Sequence, residues 1–285
     1  MKLLITGTHR ELGRAIADAL IQNGHTVTRL LRTPDSLPTS LQRLTFDGIV
    51  HADITLGATR DRTAIDDNLF GARRLRAIAE KIDAPVVALS SIVAQGPSSP
   101  DRPHGSDAPS APLGMIARSI LSAETLLWTS AIQRLVIFRL AVPYGCEGAF
   151  SQLCRTLKKS PIRPIVGNFQ LSFIHIMDVA KAIEMTIERK ELTRFRAHLS
   201  DGVIRTGSDL LNGLESTDEV AIRIPVPTSP ALMGIAGELS RPFGSWEMAL
   251  HLKHGACWTS QPNVAEDAFN FTPSKNWRAF LNDKL

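Results

Sequence analysis

The chain has 285 residues, 44% of them hydrophobic, and a mean hydropathy of zero, enough to bury a full core in one domain or two closely packed ones. Its net charge of +4 comes from 32 basic and 28 acidic residues, dispersed apart from small groups such as Arg73-Arg74 and Lys158-Lys159, which argues against nucleic acid as a partner. No segment has the roughly 20 apolar residues of a membrane helix, Met1-Lys2 leads into Leu3-Leu4-Ile5 with no signal peptide, and Cys146, Cys154 and Cys257 form no Cys-x-x-Cys pair, so a cytoplasmic protein without disulfides and without a membrane partner is expected.

In chain order, short apolar runs alternate with stretches whose apolar residues recur every three or four positions. The pattern predicts strands at Lys2–Thr6, Thr26–Leu31, Gly48–His51, Val86–Ser90 and Leu135–Leu140, with helices at Leu12–Gln22, Asn68–Lys81 and Leu113–Trp128 between them. Such alternation is that of βαβ units, hence an α/β fold with a doubly wound parallel sheet. Pro97 to Pro112 is too rich in Pro, Ser and Gly for a regular element, and it follows a strand's C-terminal end, where open α/β sheets bind ligands. Residues 1–145 are read as the nucleotide-binding domain and 146–285 as a smaller substrate domain, with 173–200 returning to the first.

After the first strand comes T-G-T-H-R-E-L-G, Thr6 to Gly13, opening a helix, which is where a Rossmann-type fold turns around a pyrophosphate. Gly7 would make the tight turn and Gly13 the close helix–strand packing, but Arg10 and Glu11 stand where a further glycine would let the backbone approach the phosphates. A carboxylate about 5 Å from a phosphate charge costs roughly 3 kcal/mol at an effective dielectric of about 20, and Arg10 is expected to cancel much of that. The second strand ends without an acidic residue for a ribose 2′-hydroxyl, whereas Arg29 or Arg32 could meet a 2′-phosphate. NADP(H) is therefore expected over NAD(H), with no nucleotide at all as the open alternative; Thr8, His9, Leu12, His51, Ala52 and Asn68 complete the expected cofactor set.

Further segments carry a resemblance. Asp47-Gly48-Ile49-Val50-His51-Ala52, Asn68-Leu69-Phe70-Gly71, Val87-Ala88-Leu89-Ser90-Ser91 with Gln95-Gly96, Arg139-Leu140-Ala141-Val142-Pro143-Tyr144-Gly145 and Ser172-Phe173-Ile174-His175-Ile176-Met177-Asp178-Val179-Ala180 resemble, in order and spacing, motifs of the extended short-chain dehydrogenase/reductases of the NAD-dependent epimerase/dehydratase kind. The resemblance implies a strand–helix unit between Arg32 and Gly48, a stretch too short here to hold a full one. It also implies a Tyr-x-x-x-Lys pair as general acid/base. With Ala123-Glu124 setting the register, that pair falls on Ile116 and Ile120, neither of which can move a proton; the chain's one tyrosine, Tyr144, is followed four residues on by Gly148.

General acid/base catalysis is worth about 10²–10⁴ in rate, so a reductase built on this chain needs another mechanism. Ser91 aligns with the family's catalytic serine, and Tyr144, His104 or His9 are candidate replacement acids, with His104 expected to be solvated in its loop. Asp53 stands where the family has alanine and would add negative charge beside the pyrophosphate. Glu247, His251, His254 and Cys257 have helical ligand spacing but read as an ordinary C-terminal helix, so no metal is expected. His175 reads as a satisfied core histidine and Arg139 as a structural cation at the sheet edge. The helices at Asn68–Lys81 and Leu113–Trp128 resemble those of the family's dimer interface, which implies a homodimer.

Three functions remain open. The chain is an NADP-dependent reductase or epimerase-like enzyme of altered mechanism acting on a small carbonyl or activated metabolite. Or it is an enzyme of a non-redox elimination, isomerisation or cyclisation, independent of nucleotide. Or it is a nucleotide-responsive or scaffolding protein without catalysis. Leu171, where many sugar-nucleotide members carry arginine, weakens a sugar-nucleotide substrate.

Overall fold

The computed structural model describes residues 1–55, 61–98, 101–105, 107–147, 150–151, 154–155, 162–165, 170–191, 193–215, 224–227, 259, 271–274 and 277. Strands β1 (Lys2–Thr6), β2 (Thr26–Leu30), β3 (Gly48–His51), β4 (Val86–Ser91), β5 (Leu135–Leu140) and β9 (Arg194–Leu199) form a parallel six-stranded sheet in the order β2-β1-β3-β4-β5-β9. The predicted strands fall within a residue of their observed bounds. The second predicted helix does not: α2 runs Asp61–Ala79, starting seven residues before Asn68.

Alternation along the strands divides the core between two faces. Leu3, Ile5, Val50, Val87, Leu89, Val136 and Phe138 pack with α1 (Glu11–Gln22) and α4 (Ile176–Glu188). Leu4, Ile49, Val86, Ala88, Leu135 and Ile137 pack with α2 and with Leu127 of α3 (Gly114–Trp128). β3, β4 and β5 are buried at every residue, as expected of parallel strands covered on both faces.

Residues 31–47 contain neither helix nor strand, and β2 is the edge of the sheet. The strand–helix unit that the resemblance implies there is thus absent; of the apolar residues in this stretch, Phe46 alone is buried in the core.

The chain order reverses beside β1, with β2 on one side of it and β3 on the other. This switch point opens a crevice at the strands' C-terminal ends, where open α/β sheets take their ligands. Gly7 lines it with a φ of +84°, and a Cβ there would sit 2.4 Å from the Asp53 nitrogen. Gly7→Ala therefore combines left-handed strain with a backbone collision, and is expected to cost about 3 kcal/mol in urea unfolding.

Beyond β5 the chain adds a second layer. β6 (Val142–Tyr144), β8 (Gln170–His175) and β10 (Ile204–Thr206) form a three-stranded sheet, and β7 (Ile162–Ile165) pairs with β11 (Ile224–Pro227). α4 and β9 then return to the main sheet. Arg139 is not at the sheet edge. It lies in β5, flanked by β4 and β9, 1% exposed, where the Glu124 carboxylate accepts from its Nε and Nη2 at 2.7 to 3.1 Å.

Candidate functional site

The crevice is built from the β1–α1 loop, the ends of β2 and β3, and the flank of α2. Three of the loop's amides are already used: Thr8 N donates to the Leu30 carbonyl at 3.2 Å, His9 N to Leu31 at 3.1 Å and Arg10 N to Gly7 at 3.1 Å. The loop is thereby stitched to the end of β2. What remains for an anion is the first turn of α1, whose amides at Glu11, Leu12 and Gly13 have no partner within the helix. Glu11 is exposed in that same turn, where its carboxylate complements the helix dipole in place of a phosphate.

Arg10 does not offset Glu11 as the sequence suggests. Its side chain turns across the crevice, with Nη2 2.7 Å from Asp67 of α2 and Nε 3.4 Å from Asp53 after β3. Asp53 in turn accepts from the Thr33 amide and hydroxyl, each at 3.1 Å. Burial alone would raise the Asp53 carboxyl, but His51, the Thr33 amide, His9 and Arg10 outweigh it and hold it below the ordinary carboxylate value. Its charge is therefore engaged by the protein rather than presented bare to a ligand, which corrects the expectation drawn from its position.

His9 Nδ1 donates to the Leu31 carbonyl. Among the described residues its Nε2 is buried without a hydrogen-bond partner, 3.9 Å from Asp53 Oδ1. Such an orphaned ring nitrogen suits an anionic oxygen once the ring is protonated. Arg32, at the end of β2, has a side chain 61% exposed and reaches Asp67 at 3.4 Å. Arg29 instead pairs with Asp18 of α1 at 2.5 Å. The donor set of His9, Arg32 and the α1 first turn, around the Gly7 and Gly13 turn, thus fits the phosphates of a dinucleotide, with Glu11 and the Arg10 ion pairs opposing it.

The other expected cofactor residues form the scaffold behind this rim. His51 is 5% exposed, with Nδ1 2.8 Å from the Thr6 hydroxyl, and Ala52 is fully buried. Asn68 donates to Ser119 at 3.0 Å and exchanges hydrogen bonds with Thr55, tying α2 to α3 and to the segment after β3. Leu12 packs toward Ile54, Ala94, Ile116 and Ile120. Ile116 and Ile120 are 1% and 2% exposed, an apolar wall where the sequence reading puts the missing Tyr and Lys.

Ser91 ends β4 at the crevice side of the sheet, 5% exposed, and caps the following 3-10 turn by accepting from Val93 N at 3.3 Å. Among the described residues no acceptor takes its hydroxyl proton, which leaves it a hydrogen bond to donate. Tyr144 is fully buried with Phe173, Cys154 and Trp277, its ring edge-on to His175 at 4.9 Å. Burial, with Asp201 and Asp178 nearby, pushes its phenol well above the usual range against the pull of Arg205. His175 is half-buried and caps α4, accepting from Met177 N at 3.0 Å, so it is a helix cap rather than a core histidine.

His104 is half-buried rather than solvated. Its Nε2 lies 3.0 Å from the Pro97 carbonyl and its amide donates to Thr259. The loop that carries it is closed at the neck, where Ala111 N donates to the Gln95 carbonyl at 2.7 Å. Inside the neck, Gln95 Nε2 donates to Gly105 and Ala108 while its Oε1 accepts from Arg139. Among the described residues no group of three or more His, Cys, Asp or Glu could hold a metal; Glu247, His251, His254 and Cys257 lie outside them. Nor is any described helix long and apolar enough to cross a membrane. Asp67, Thr33 and Glu124 were not singled out from the sequence as site residues, because nothing local to them marks partners that lie far along the chain.

Residues 3–196 match the NAD dependent epimerase/dehydratase family, while no curated protein matches the chain. Among solved structures it is similar to a dTDP-4-dehydrorhamnose reductase from Clostridium acetobutylicum, at 18% identity and a TM-score of 0.76 over 99% of this chain and 98% of the other. A human epimerase family protein solved with NADPH gives 17%, 0.76, 99% and 98%. The UDP-glucose 4-epimerase of Bifidobacterium longum, solved with NAD+ and UDP, gives 14%, 0.75, 99% and 96%. At these identities the likeness to solved structures is one of fold.

Proposed function

Because the chain belongs to the NAD-dependent epimerase/dehydratase family, we propose that it binds NADP(H) at the β1–β3 crevice and acts on a small carbonyl or activated metabolite by an altered mechanism. The observation that carries this reading is Arg32, a largely exposed guanidinium at the end of β2, where a 2′-phosphate would lie. His9 and the first turn of α1 would hold the pyrophosphate, with Gly7 and Gly13 shaping the turn. When bound, the cofactor supplies or accepts a hydride. Ser91 would donate a hydrogen bond to the substrate's carbonyl oxygen, the proton of the reduced product would come from solvent, and Ile116 and Ile120 form an apolar wall beside it. Tyr144, fully buried among Phe173, Cys154 and Trp277, takes no part, and His104, held by the Pro97 and Thr259 carbonyls, positions rather than reacts. The homodimer belongs to the same reading, with Phe70 of α2 and Met115 of α3 about half exposed.

Calorimetric titration with NADPH and then NADH tests the reading. Micromolar binding of NADPH is expected. Glu11→Gly, which removes a carboxylate near the pyrophosphate, should tighten both dinucleotides by about tenfold or more. A wild type that binds neither would favour the second reading, a non-redox enzyme independent of nucleotide, to which the Arg10 ion pairs across the crevice lend support.

A further inference from the structure

We propose that Asp67 sets the cofactor preference, by occupying with its own carboxylate the anion site that a 2′-phosphate would need. This rests on the reading that a dinucleotide binds in the crevice. Two guanidinium groups converge on Asp67: Arg10 Nη2 lies 2.7 Å from Oδ2, and Arg32 Nη1 3.4 Å from Oδ1. One comes from the glycine loop, the other from the end of β2, and the carboxylate between them comes from α2. Arg10 reaches Asp53 on its other side, so Asp53, Arg10, Asp67 and Arg32 form a row of alternating charge that sums to zero.

Two arginines facing one acceptor is the arrangement that a phosphate monoester takes up well, with three acceptor oxygens and a charge near −2. With Asp67 in place, an arriving 2′-phosphate meets a carboxylate already holding both cations. It must displace that carboxylate or bind beside it against like-charge repulsion. A ribose 2′-hydroxyl carries no charge and escapes this competition. Asp67 accordingly penalises NADPH and leaves NADH nearly untouched, so the wild type discriminates between them less than its exposed Arg32 would suggest.

The test is calorimetric binding of NADPH and NADH to the wild type, Asp67→Asn and Asp67→Asn/Arg32→Ala. Asparagine keeps the size and the helix position but not the charge. Asp67→Asn is expected to bind NADPH about tenfold tighter with NADH changed less than twofold, and the double variant to lose that gain. If the wild type binds NADPH and Asp67→Asn binds it no better, or tightens both dinucleotides equally, the role given to Asp67 falls while the cofactor reading stands. If only Asp67→Asn binds NADPH, Asp67 has the proposed role and the wild type is closed to the cofactor. If no variant binds either dinucleotide, both fall.

Discussion

Glu124→Gln is expected to destabilise the fold by about 3–5 kcal/mol, because it leaves Arg139 buried with its charge uncompensated. Glu124 and Arg139 have side chains 3% and 1% exposed, and the carboxylate also accepts from the Ser90 hydroxyl. Arg196 stands 3.7 Å from it, so loss of the one anion leaves two cations facing each other. Burial lowers the Arg196 pKa, Glu124 raises it and Arg139 lowers it again, which is the imbalance the variant would enlarge. Urea unfolding gives the cost directly. Glu124→Leu/Arg139→Met should recover a large part of it, since replacing a whole buried pair with apolar groups is far cheaper than breaking it. A cost below about 1 kcal/mol for Glu124→Gln would show that Arg139 does not depend on the Glu124 charge for its compensation.

The same network links stability to the site. Arg139 also donates to Gln95 and Ser110, and Gln95 holds Gly105 and Ala108. A variant at Glu124 therefore acts on the neck of the loop beside the crevice as well as on the core between β4, β5 and α3.

The strands were legible because parallel strands buried on both faces must be apolar at nearly every position, and runs such as Val86-Val87-Ala88-Leu89 satisfy that without reference to the rest of the chain. The missing unit at the β2 edge was legible from chain length alone, since too few residues separate Arg32 from Gly48. The crevice was less so. Arg10 sits beside Glu11 in the chain, and proximity in sequence suggested that they pair; the fold instead offers Arg10 two carboxylates, on α2 and after β3, within its reach. Long side chains choose partners by tertiary geometry, which periodicity does not encode. Tyr144 shows the same limit, for its position after β5 was readable but its enclosure by Phe173 and Trp277 was not.

Acid is expected to weaken the fold before its carboxylates titrate, because two buried histidines are held neutral. Burial lowers the His51 ring to about 4 against the pull of Asp53. Burial and the Arg139 charge, against a hydrogen bond to the His104 backbone, lower His198 to about 3. In the unfolded chain both titrate near 6.5, so below that pH the unfolded state binds protons that the folded state refuses. Their contribution is complete above pH 6.5 and shrinks as the pH falls toward the folded values. Each histidine costs about 1.4 kcal/mol per pH unit inside that window, or roughly 4–5 kcal/mol for both between pH 6.5 and 4.5. Asp53, held below the ordinary carboxylate value, stays ionised across this range and adds its own loss only at lower pH. Urea unfolding from pH 7.5 to 4.5 measures the slope. His51→Asn keeps a polar group near the Thr6 hydroxyl but takes up no proton, so it should be less stable than the wild type at pH 7.5 and lose only about half as much on acidification. Parallel curves for the two proteins would mean that the His51 ring is not the buried neutral group on which this linkage depends.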